Sequence, residues 1–275
     1  MKSLRRHAVI AAALCALASI PVHAGTSCEQ RDIGPAEVHK AMRMAYKTRE
    51  FLERARPQVA LVGRVGSNLE EHGLRYTHAG AILRDHPAGP WLFVHELNVC
   101  ATDRSALFDE GLVNFYLDDL FAFEAVVIVP SPALQSRLLQ VLGSPTANAL
   151  HRPDYSMIAN PFSVRYQNSN QWLLEVIAAA LEPEGRVRDR VQAQEALARR
   201  GFQPDEIRVK PLQRLGAAFT RANVHFDDHD ELESRSGRYR VVTVRSIVRF
   251  LERVDPDVKV TLIPLEGPVQ PPTRY

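Results

Sequence analysis

Two short apolar segments, each carrying a single histidine, constrain this chain more than any other feature. The first reads Arg75-Tyr76-Thr77-His78-Ala79-Gly80-Ala81-Ile82-Leu83 and the second Trp91-Leu92-Phe93-Val94-His95-Glu96-Leu97. Strand side chains alternate with period two, which puts Tyr76, His78, Gly80 and Ile82 on one face. Trp91, Phe93, His95 and Leu97 share a face of the next strand. Residues 84–90 hold Asp85, Pro87, Gly89 and Pro90 and read as a hairpin loop. Pairing as a hairpin would stand the two imidazoles side by side, one to titrate and one to orient it. The bland alternative for each ring is a core histidine bonded to a carbonyl. A register slip of one residue would make Glu96 the polar partner in place of His95.

The N-terminus reads as a processing signal. Lys2, Arg5 and Arg6 precede an apolar run over residues 8–20, and Val22-His23-Ala24 supplies the small residues of a cleavage site. The run is shorter than the roughly 20 apolar residues of a membrane span, and no later stretch approaches that length. The expectation is an exported, periplasmic protein beginning near Gly25. The whole chain has 34 basic and 32 acidic side chains, and residues 1–24 account for three of the basic ones and no acid. The mature chain is therefore close to neutral and lacks the electrostatic footprint of a nucleic-acid binder. Two cysteines remain, Cys28 and Cys100. They read either as a disulfide, the economical use of an even count in an oxidising compartment, or with Cys100 as a thiolate served by the histidines.

Along the chain, residues 35–54 show helical spacing of Val38, Met42, Ala45, Tyr46, Phe51 and Leu52, and Pro57 follows. Residues 59–65 read as a buried strand. Residues 105–123 are aromatic and predict short helices over one side of the sheet, with the aromatics in the core. Residues 125–129 are β-branched and end at Pro130, as a central strand would. Pro132 opens a helix that Gly143 closes, and residues 144–167 are irregular. Residues 168–181, Asn168-Ser169-Asn170-Gln171-Trp172-Leu173-Leu174-Glu175-Val176-Ile177-Ala178-Ala179-Ala180-Leu181, are apolar on nearly every face after the first turn. Such a helix belongs in the middle of a domain, with its N-terminus open to a site. Asn168 or Ser169 would cap it. From residue 186 the pattern becomes charged, and predicts helices and strands of a C-terminal extension. An acidic loop there holds His225, Asp227, Asp228, His229, Asp230 and Glu231, whose spacing fits no EF-hand and reads as a solvated turn. No metal or cofactor is implied.

Thr77-His78-Ala79-Gly80-Ala81-Ile82 followed by Phe93-Val94-His95 resembles the catalytic-histidine region of NlpC-type, papain-like peptidases. In that group the first histidine is the base, and a histidine at the end of the next strand orients it. Tyr166-Gln167-Asn168-Ser169-Asn170-Gln171-Trp172 is similar to the helix start that carries the nucleophilic cysteine in the circularly permuted branch. Over most of its mature length the chain also looks like an exported bacterial family known as domain of unknown function 2145. The resemblance implies an α+β fold, a papain-like antiparallel sheet with a buried central helix over residues 25–185 and an α/β extension over 186–275. It implies Ser169 as nucleophile, His78 as base and His95 as orienter in a hydrolase or acyltransferase acting on amide or ester bonds of cell-envelope peptide or lipid. This sequence departs from the pattern at one decisive position, since Ser169 replaces the cysteine. A serine starts from a far higher pKa, so activity would require a strong oxyanion hole, worth about 3–4 kcal/mol per donor. The competing expectation is a non-catalytic periplasmic protein that keeps the cleft for binding.

Overall fold

The computed structural model describes residues 33–100, 102–118 and 120–271. The expected signal segment and Cys28 lie outside the described residues, and with Cys28 the expected pairing to Cys100. A long helix, α1 (Pro35–Ala55), leads into β1 (Val59–Val65), β2 (His78–His86), β3 (Gly89–Asn98) and β4 (Ser105–Gly111). A six-residue helix, α2 (Leu112–Leu117), precedes β5 (Ala122–Val129), and α3 (Pro132–Leu142) and α4 (Pro145–Ala149) follow. The apolar helix is α5 (Ser169–Leu181). The remainder comprises α6 (Arg190–Arg199), β6 (Asp205–Arg208), α7 (Pro211–Thr220), α8 (Glu231–Ser236), β7 (Arg238–Val241), α9 (Val244–Val254) and β8 (Lys259–Pro264).

Six strands form one antiparallel sheet in the order β4-β3-β2-β1-β5-β8, and β6 and β7 pair separately. The alternation of β1 and β2 distributes their side chains between two cores. Leu61, Ala79, Ala81 and Leu83 pack beneath Trp172, Leu173, Val176, Leu138 and Ile247, so α5, α3 and α9 cover that face. Ala60, Val62, Ile82 and Phe93 pack with Met44, Leu52, Phe115 and Tyr116 from α1 and α2 on the other. Chain class is therefore α+β, as the resemblance implies. Among the described residues no helix is long and apolar enough to cross a membrane.

Several local expectations need correction. The hairpin loop is only Pro87-Ala88, because β2 runs on to His86 and pairs with Gly89. Tyr76 precedes the strand and joins the α5 core, opposite Ile82. Residues 105–123 are not a set of short helices: residues 105–111 form β4, in register with β3 from Leu92↔Gly111 to Asn98↔Ser105. As a sheet-edge strand β4 exposes apolar side chains, which blurs its alternation; Phe108 is 42% exposed, and Phe121 beyond it is 53% exposed. Phe115 and Tyr116 are fully buried. The C-terminal region contributes β8 to the main sheet and α9 to its core.

Candidate active site

The tip of α5 is built by three polar residues with separate tasks. Asn168 is the N-cap, its side chain accepting from Gln171 N at 2.9 Å. Ser169 is thus the first helical residue, and its hydroxyl is not spent on capping. Asn170 reaches back to β2, accepting from Ala79 N at 3.1 Å and donating to Thr77 O at 3.0 Å. It grips the backbone on both sides of His78. The β2–β3 pairing runs no further than Ala81↔Val94 in this direction. The helix tip therefore meets β2 where its neighbour strand has parted from it.

There the Ser169 hydroxyl lies 2.9 Å from His78 Nδ1. The other nitrogen of the same ring, Nε2, is 2.8 Å from His95 Nδ1. His95 Nε2 in turn stands 3.1 Å from Glu110 Oε1 on β4, a close but bent approach that falls short of an aligned hydrogen bond. The four groups form a continuous file from a hydroxyl to a half-buried carboxylate. Ser169 and His78 keep 6% and 8% of their surface exposed, while His95 is fully buried.

Packing holds the rings. His95 meets Phe93 edge-on with centroids 5.0 Å apart, and Phe115 lies 6.0 Å from both histidines. Gly80 makes the arrangement feasible, because a Cβ there would stand 2.6 Å from His95 Cβ and 2.5 Å from Phe93 Cε1. Electrostatics keep both imidazoles uncharged. Burial first, and then the Arg64 guanidinium, hold His78 well below the ordinary imidazole range. Burial also lowers His95, against the opposing pull of Glu110. Arg64 is itself fixed by Asp118, the Phe115 carbonyl and the Phe115 ring.

Tyr155 completes the site. Its phenol is buried, and burial first, then the charge of Glu96, raise its pKa against the opposing pull of the Ser169 hydroxyl and backbone N–H. A phenol and a backbone N–H near a serine hydroxyl, at a helix N-terminus, are donors of the kind an oxyanion accepts. Behind the tip, Arg190 pairs with the buried Glu175 at 2.8 Å, and Gln167 and Gln194 donate to the same carboxylate.

The three residues singled out in the sequence thus converge. Glu110, Tyr155 and Arg64 were not among them. Glu110 would have been found by reading residues 105–111 as a strand, since it pairs with Phe93 and so shares the His95 face. Tyr155 lies in an irregular run and carries no such signal. Glu96 is buried on the face opposite His95, so it does not take the orienting place. Cys100 is not the group that faces His78. The acidic loop is dispersed into local contacts: Asp227 with Arg165, Asp228 accepting from Asn160 N, His229 beside Ile158 O and Glu233, and Asp230 capping α8. Among the described residues no three metal-ligating side chains converge.

A family model matches residues 51–251, nearly three quarters of the chain; its description is "uncharacterized protein conserved in bacteria" (DUF2145). The chain belongs to the DUF2145 family. No curated protein and no solved structure matches it.

Proposed function

We propose that this DUF2145 protein is an exported, periplasmic hydrolase or acyltransferase of papain-like, permuted NlpC-type design. Its bonds are amides or esters of cell-envelope peptide or lipid. The observation that carries the reading is the contact of His78 with Ser169 on one ring nitrogen and His95 on the other. A serine that merely caps a helix needs no imidazole, and a core histidine bonded to a carbonyl needs no hydroxyl.

In the proposed step Ser169 Oγ attacks the substrate carbonyl carbon while His78 Nδ1 takes the hydroxyl proton. The Nε2–H of His78 donates to His95 Nδ1 throughout, and the Nε2–H of His95 faces Glu110. The imidazolium formed at His78 is thereby offset by the carboxylate at the end of the file, against the opposing charge of Arg64. Tyr155 and the Ser169 N–H receive the oxyanion. Its collapse breaks the C–N or C–O bond, and His78 Nδ1 returns the proton to the leaving atom. Water, or a second acceptor, then repeats the sequence on the acyl-serine.

Hydrolysis of a p-nitrophenyl ester by the full chain tests the reading. Ser169→Ala and His78→Ala should each abolish turnover while leaving the melting temperature nearly unchanged. Unaltered turnover in either variant removes that residue from the chemistry, and wild-type chain that is inert while well folded supports a binding cleft instead.

A further inference from the structure

Glu96 is fully buried, and neither of its carboxylate oxygens has a hydrogen bond among the described residues. It follows His95 in β3 and points to the other face of the sheet. The groups that act on its charge are Ser105 from β4, Tyr155 from the segment before α5, Glu175 from α5 and Arg190 from α6. None of these answers its charge fully. Arg190 is committed to Glu175 through two contacts, at 2.8 and 3.1 Å. The Ser105 hydroxyl is engaged with His151 Nε2 at 3.1 Å and Arg152 O at 3.3 Å. An ionised carboxylate without partners in a dry interior is strongly disfavoured. Burial accordingly pushes the Glu96 acid up to about 8. Backbone pairing brings the Tyr155 segment to both groups. Tyr155 N donates to Asp103 O at 2.7 Å and Ser105 N to Pro153 O at 2.8 Å on the Glu96 side, and Tyr155 bridges to Gln167 two residues before Ser169. Both Glu96 and Ser169 act on its phenol.

We propose that Glu96 is a positioning residue of the Ser169 site: as a neutral acid it leaves the Tyr155 hydroxyl free to receive the oxyanion, and its ionisation disables the site. A negative charge placed behind Tyr155 opposes the negative charge that develops in front of it. The inference rests on Ser169 being the nucleophile, but the state of Glu96 is readable without that premise.

The test follows Ser169 labelling by a fluorophosphonate across pH 5–10 on the full chain, together with the melting temperature at each pH. Wild-type labelling should stay level from below pH 6.5 to about pH 8 and then fall about tenfold per further pH unit. Glu96→Gln and Glu96→Met, both neutral, should lose the fall and keep the neutral-pH rate within about threefold. Glu96→Asp should retain it. Independently, the folded chain holds a proton that the unfolded chain releases above the ordinary value of 4.5. Wild-type stability should therefore decline relative to Glu96→Gln as pH rises from 4.5 to about 8, and then level off. An alkaline fall that persists in the neutral variants, or a stability difference without pH dependence, overturns the inference alone. Wild-type chain that shows the stability slope yet is never labelled overturns the nucleophile assignment and this inference with it.

Discussion

His78 Nε2 and His95 Nδ1 are 2.8 Å apart, and this contact dictates where the protons of the site reside. Two neutral imidazoles joined this way must place one N–H between them. If His78 gives that proton to the bond, its Nδ1 is a bare acceptor aimed at Ser169, which is the tautomer a general base requires. His95 then carries its own proton on Nε2, facing Glu110. The alternative tautomer would leave His78 with an N–H toward Ser169 and a lone pair of His95 facing a carboxylate, so Glu110 favours the first arrangement, the one the proposed mechanism uses.

Replacing His95 should therefore damage turnover more than stability. His95→Asn is expected to lower esterase rate by about 10²-fold or more. Glu110→Gln, whose side chain is 20% exposed and more screened, should cost about tenfold. Steady-state kinetics on both variants check the order. Equal losses would mean that the carboxylate matters as much as the ring it touches.

Gly80 is the spacer that lets His95 sit where it does. Gly80→Ala would drive a methyl into Phe93 and His95, and overpacking of this kind costs about 1–3 kcal/mol. The esterase rate should fall by more than the stability loss explains, because His95 is the group displaced. Urea unfolding and kinetics measured on the same variant distinguish the two effects.

The depressed pKa of His78 gives an acid-side prediction. The unfolded chain protonates this ring below its ordinary value of 6.5, whereas the folded chain keeps it neutral to lower pH. The fold then binds fewer protons, so the contribution of His78 is whole above pH 6.5 and is lost as pH falls below it. Melting temperatures should decline less steeply between pH 6.5 and 5 in His78→Asn than in wild type. Catalysis by the wild type should likewise persist below pH 6.5.

Much of this site was written in local sequence. The histidine strands, the all-apolar helix and its polar start each announce themselves by periodicity or composition, and the bond between His78 and Ser169 is the consequence of burying all three together. What stayed illegible depends on long-range register. Glu110 sits on an edge strand whose exposed Phe108 hid the alternation. Tyr155 lies in an irregular segment whose path is fixed by backbone bonds to Asp103 and Gln167. The membership of β8 in the main sheet follows from pairing with β5, more than 120 residues earlier in the chain.

Covalent labelling of Ser169 addresses the central claim most directly. Intact-mass and peptide spectrometry of the folded chain with a fluorophosphonate should find one adduct per chain, located on Ser169 and missing from Ser169→Ala and His78→Ala. A folded wild-type chain that forms no adduct, or labelling of Ser169 that survives the loss of His78, would contradict the account.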